Sequence, residues 1–173
     1  MKILQFMIIN LSHQILKTLP YWLIKFLSFP IGIIYFLITF RSSFRLYKRK
    51  DLLNNSGLFY KPLLVKINYT RYWLETLWLT NKNFKKYISP YIEIENQDFV
   101  NKLKKQYPGL IFALPHQGNW EFAIPIGNSI NLNLVAVAEP LDNKYVLNWF
   151  KSLRESLGIE IIIGGKGQNT FDS

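Results

Sequence analysis

The chain has 173 residues, 49% of them hydrophobic and 16% aromatic, and its 21 Lys and Arg outnumber 11 Asp and Glu to give a formal charge of +10. That length supports one modest core, and the charge draws the chain to an anionic surface, either nucleic acid or membrane headgroups. The absence of cysteine excludes disulfides and thiolate metal sites, and two histidines without clustered carboxylates speak against a dedicated metal site.

Long apolar runs interleaved with aromatics favour the membrane over nucleic acid, and no nucleic-acid module is visible. Residues 26–40, FLSFPIGIIYFLITF, carry no charge. As a helix they span about 22 Å, short of the roughly 30 Å hydrocarbon core. Extension back to Thr18 gives about 34 Å, with Lys25 inside and able to snorkel to an interface. Tyr21, Trp22 and Tyr35 suit headgroup depth. Arg41, Arg45, Lys48, Arg49 and Lys50 follow directly and place that side in the cytoplasm, against anionic lipid. No small-residue cleavage pattern follows, so a retained anchor is expected rather than a signal peptide. Pro30 and Gly32 kink a continuous span, which keeps an interfacial helix open beside a spanning one. The competing reading is a pair of apolar helices packed into a core.

Residues 61–80 have helical spacing, with Leu63, Ile67, Trp73, Leu74, Leu77 and Trp78 on one broad face. From Tyr91 the texture changes. YIEIE (91–95) alternates and predicts a strand. Residues 96–107 predict a short helix closed by Pro108 and Gly109. Residues 110–114 predict a buried strand, 119–128 a helix, 133–138 a strand, 144–157 a helix stopped at Gly158, and 159–163 a second buried strand. This alternation predicts an α/β fold: N-terminal apolar helices, then a partial αβ domain with a mostly parallel sheet. The division is 1–50 for the anchor and basic segment, 51–90 for a helical connection, and 91–173 for the αβ domain. A sheet that ends so soon leaves an exposed edge, so an incomplete domain is expected.

The chemistry concentrates in residues 114–121, LPHQGNWE. His116 and Glu121 would stand roughly 140° apart on a regular helix, so they can pair only if His116 is on the loop and Glu121 in the first helical turn. Pro115 holds Leu114 extended, Gly118 permits an unusual backbone angle, and Asn119 is a good N-cap. The helix N-terminus favours an ionised Glu121. That carboxylate can accept a bond from one imidazole nitrogen and leave the other as a base for an attacking alcohol. Backbone N–H groups near Gly118 are placed to meet an oxyanion. With no Ser or Cys nearby, direct transfer is more natural than a covalent intermediate. A histidine that merely caps or bonds locally is the plain alternative.

HQGNWE resembles the H-x-G-N-W-E form of the H-x4-D/E motif of the lysophospholipid acyltransferase superfamily. Within that superfamily its wording is that of the lipid A biosynthesis acyltransferase family, which includes lauroyl and myristoyl transferases and the related phosphatidylinositol mannoside acyltransferases. Residues 138–163, AEPLDNKYVLNWFKSLRESLGIEIII, resemble the family's next block, with Arg154 and Gly158 on matching positions. RYWLE (71–75) resembles its helix before the catalytic domain, and an N-terminal apolar anchor is usual there. Family members continue beyond the last block matched here, which leads us to expect a C-terminally truncated chain.

The resemblance implies acyl transfer from an acyl carrier protein or CoA thioester to a glycolipid hydroxyl. It sets this at the cytoplasmic side of the bacterial inner membrane, with a lipid A precursor as the first choice of acceptor. Phosphatidylinositol mannoside, a lysophospholipid, or a catalytically silent membrane-associated fragment are the alternatives. By the same carry-over His116 is the general base, Glu121 orients it, and Gly118, Asn119 and Trp120 shape the turn and pocket wall. Arg154 binds a phosphate of donor or acceptor. No metal or cofactor beyond the thioester co-substrate is implied. His13, in the first apolar helix, reads as structural.

Overall fold

The computed structural model describes residues 1–42, 60–115 and 118–164. Of the basic run, Arg41 is described, whereas Arg45, Lys48, Arg49 and Lys50 lie outside the described residues.

Two apolar helices open the chain, α1 (Lys2–Leu16) and α2 (Tyr21–Ile38). The longer α3 (Tyr60–Trp78) packs along α2. The fit follows a four-residue row on α2: Ile24, Ser28, Gly32 and Phe36 are buried, as side chains one turn apart share a face. Small residues let the backbones approach, and a Cβ on Gly32 would stand 2.7 Å from Ile67 Cα. Gly32→Val is therefore expected to force α2 off α3 and destabilise the chain by about 1–3 kcal/mol, read as a lower unfolding midpoint. The predicted helix thus begins at Tyr21 rather than Thr18, behind Pro20, and Pro30 lies inside it.

The bend between α1 and α2 is fastened to the end of α3. Trp78 Nε1 donates to Leu19 O at 2.8 Å, and Asn81 Nδ2 donates to Lys17 O at 2.5 Å and Leu19 O at 3.2 Å. These donors pair carbonyls of the bend, where the hydrogen-bond ladder of α1 has ended. Leu16, Ile24, Leu74, Leu77, Trp78 and Ile88 form the first core cluster, Ile88 arriving from the short α4 (Phe84–Ile88).

Helix α5 (Gln97–Gln106) follows the predicted 96–107. A single 3-10 turn, Trp120–Phe122, leads into α6 (Ala123–Ser129), so the helix predicted from 119 to 128 is two pieces. Strand β1 (Leu134–Ala138), helix α7 (Lys144–Ser156) and strand β2 (Ile159–Ile163) match expectation. The strands pair in parallel, Leu134 opposite Ile159 through Ala138 opposite Ile163, with α7 as the crossover. Gly158, at φ +93°, turns the chain from α7 into β2. Ile124, Ile159 and Ile161 form a second core cluster. The fold is α/β.

Two predicted strands are absent. Tyr91 ends a 3-10 turn, Ser89–Tyr91, and residues 92–94 have no regular structure. The alternation survives as burial, since Ile92 and Ile94 are partly buried while Tyr91, Glu93 and Glu95 are exposed. Residues 110–114 are also without regular structure, with Ile111 fully exposed. Side-chain pattern selects faces, but a strand also needs a neighbour for its N–H and C=O groups, and among the described residues β1 and β2 pair only with each other.

Helix α1 lies along α7. Asn143 Nδ2 donates to Lys2 O at 2.9 Å and Gln5 Oε1 at 3.0 Å, and the His13 ring meets Trp149 edge-on at 5.4 Å. His13 Nε2 is 2.7 Å from Thr80 Oγ1, while its Nδ1 is buried without a hydrogen-bond partner among the described residues. Burial, then the charge of Lys17, holds this imidazole below its ordinary pKa of 6.5. The unfolded chain therefore takes up this proton first. Stability from His13 is complete above pH 6.5 and declines as pH falls through that value toward the lower folded pKa. Unfolding midpoints between pH 8 and 5 should show that loss in the native chain and less of it in His13→Gln. The structural reading of His13 agrees with these contacts.

Candidate active site

The turn from Gly118 to Glu121 is held from α3. Leu114 and Pro115 are exposed, and His116 and Gln117 lie outside the described residues. Gly118 sits at φ +64° with open space where a Cβ would stand, so conformation rather than crowding calls for glycine here. Asn119 caps as expected, its Oδ1 accepting from Glu121 N–H at 3.2 Å. Its Nδ2 donates to Glu75 Oε2 at 3.2 Å and more weakly to Tyr72 O at 3.5 Å.

Glu121 occupies the 3-10 turn that follows and is only 1% exposed. From the last turn of α7, Arg154 Nη2 donates to its Oε1 at 2.6 Å and Nε to its Oε2 at 3.1 Å. Such a two-pronged pair fixes both planes and gives the buried carboxylate the charged partner that burial demands. Tyr72 OH donates to Oε1 at 3.4 Å from α3. Burial, then the Glu121 charge, pushes this phenol up to about 12, so it stays a neutral donor. The Arg154 guanidinium also lies over the rings of Trp120, at 5.0 Å, and Phe150, at 5.5 Å. A carboxylate has about four acceptor positions. The described residues fill two on Oε1 and one on Oε2, which leaves capacity on Oε2 for one more donor.

Two cavities lie beside the residues that bond Glu121, one lined by Arg154 and the other by Asn119. The first, about 540 Å³, is walled largely by apolar side chains, among them Trp73, Trp120, Ile124, Phe150 and Ile161, with Arg154 on its lining. Glu139, at the end of β1, also lines it. The second, about 710 Å³, lies on the α3 side, with Tyr21, Asn68, Arg71, Glu75 and Asn119 on its lining beside Val65 and Phe122. Tyr72 borders both.

Residues 66–170 match the family model described as bacterial lipid A biosynthesis acyltransferase, more than half of the 173-residue chain. The chain belongs to that family. No curated protein and no solved structure matches it. The matched stretch contains Gly118, Asn119, Trp120, Glu121 and Arg154, and it takes in most of α3.

The structure brings Asn119, Trp120, Glu121 and Arg154 together. It also shows partners the sequence reading passed over. Tyr72 and Glu75 both reach the turn from α3. A signal existed for Glu75: a carboxylate between Leu74 and the apolar Leu77 and Trp78 falls on the buried face of the helix, where charge needs partners. Tyr72 had none, because an amphipathic ring on a helix fits core, interface or site equally.

Proposed function

We propose that this acyltransferase moves a fatty acyl chain from a thioester, on an acyl carrier protein or CoA, to a hydroxyl of a glycolipid at the bacterial inner membrane, a lipid A precursor being the first choice. The observation that carries this reading is the buried Glu121 carboxylate, five positions after His116 in the sequence and clamped by Arg154, which lines a largely apolar cavity.

In the proposed sequence His116 donates one N–H to the open acceptor position on Glu121 Oε2, which fixes the tautomer. Its other nitrogen takes the proton from the acceptor hydroxyl as the oxygen attacks the thioester carbonyl. Backbone N–H groups at the Gly118 turn face the oxyanion. Collapse breaks the C–S bond, the thiolate takes the proton from the imidazolium, and an ester remains. The acyl chain lies along Trp73, Ile124 and Phe150. Two of the five Arg154 N–H donors serve Glu121, so others remain for a phosphate of donor or acceptor.

Membrane attachment rests on α1 and α2. Among the described residues α2 is the helix long and apolar enough to cross a bilayer, and only 22% of it is buried. Trp22, Phe26, Phe29 and Leu37 point outward from it, as do Leu4, Met7 and Leu11 from α1. An apolar surface of this extent calls for a lipid environment, and the net charge of +10 suits anionic headgroups facing the cytoplasm. The test is incubation of the protein with labelled acyl carrier protein thioester and, separately, a lipid A precursor, a phosphatidylinositol mannoside and a lysophospholipid. A new ester on the lipid A precursor is expected. Acylation of another lipid reassigns the acceptor, and no ester on any of them refutes the reading.

A further inference from the structure

We propose that Glu75 is a positioning residue for the Gly118–Glu121 turn, acting through Asn119 and tying that turn to the apolar helix α2. The inference rests on the acyltransferase reading for its catalytic consequence and on the hydrogen-bond geometry for its existence. Glu75 is 4% exposed, yet it accepts from three elements. Tyr21 OH, at the start of α2, reaches Oε1 at 2.9 Å, and Arg71 Nε, one turn back on α3, reaches the same oxygen at 2.8 Å. Asn119 Nδ2 reaches Oε2 at 3.2 Å.

An ion pair on one helix face would ordinarily swing outward into water, where it costs little to keep. Arg71 does remain 43% exposed at its side chain, but the carboxylate turns inward at 5%. The desolvation this incurs is offset only if the inner oxygen has a donor, and Asn119 supplies it. A carboxylate accepts and never donates when ionised. Glu75, with the more distant Tyr72 O beside it, thus decides which end of the Asn119 amide faces α3: the NH2 group turns to Oε2, which sends Oδ1 to Glu121 N–H. The same amide held the other way would present its donor to that N–H and lose the cap. Glu75 therefore sets the polarity of the cap that seats Glu121, one residue beyond the Gly118 pivot. Because Tyr21 shares the carboxylate, the arrangement is complete only with α2 docked on α3.

A donor–acceptor swap tests this. Asn119→Asp keeps a good N-cap but puts an oxygen against Oε2. Adding Glu75→Gln restores a donor on the other side. At pH 8, on equal amounts of folded protein in detergent micelles, Asn119→Asp should lower kcat for acyl carrier protein thioester and lipid A precursor by about tenfold, with KM little changed. That is the coupling expected within one hydrogen-bond network. The double variant Asn119→Asp/Glu75→Gln should recover to about threefold of native. Full activity in Asn119→Asp, or no recovery in the double variant, overturns the proposal. With just two histidines in the chain, the imidazole 15N shifts of His116 give a second readout. If the native protein turns over none of the lipids, the acyltransferase reading fails by itself. The relay then stands if Asn119→Asp moves the His116 shifts and Glu75→Gln returns them, and falls if they do not move or do not return.

Discussion

Alanine at His116 is expected to reduce acyl transfer by about 10²–10⁴-fold, the range a positioned general base contributes, without lowering the unfolding midpoint. The reasoning runs through Glu121. A carboxylate buried to 1% with two bonds from Arg154 and one from Tyr72 is expensive to build. Its position five residues after the histidine in the sequence gives that cost a purpose. The loss should appear in kcat rather than KM, because the base acts on the transition state and not on binding. Equal turnover in His116→Ala would eliminate this mechanism. Unfolding in urea, run on the same samples, separates lost chemistry from lost structure.

The largest stability effect is expected at Arg154. Its guanidinium neutralises a carboxylate that has no water to turn to, so Arg154→Ala strands a buried charge and should cost about 3–5 kcal/mol, read as a lower denaturation midpoint at an unchanged slope. Transfer should fall with it. Arg154→Lys is no remedy, because an ammonium cannot reproduce the paired Nε and Nη2 bonds or lie flat over Trp120 and Phe150. A double variant, Arg154→Leu with Glu121→Leu, should regain much of the stability by removing both charges together while remaining inactive. Arg154→Ala as stable as native would show that the pair contributes nothing to the fold.

How much of this was legible beforehand differs by element. The β1–α7–β2 unit could be read because its apolar runs are bounded by Gly158 and a helix with clear periodicity, and both strands have partners within the same unit. Residues 91–95 and 110–114 carry equally good patterns and form no strand, since pairing depends on a neighbour that local pattern does not encode. Within the site, Gly118 and Asn119 were legible because their backbone roles follow from residue type. The family resemblance marks Arg154 for a phosphate, and its bond to Glu121 is not visible in the sequence, because the crossover of α7 brings the two together. Glu75 and Tyr72 were hidden for the same reason: they approach the turn from a helix more than forty positions earlier.

The most direct measurement is a double-mutant cycle on kcat, comparing native protein with His116→Ala, Glu121→Gln and the two combined, each assayed with acyl carrier protein thioester and lipid A precursor. If imidazole and carboxylate act as one unit, the combined variant is no slower than the worse of the single variants. Losses that multiply would mean two independent contributions, and Glu121 would then not serve His116.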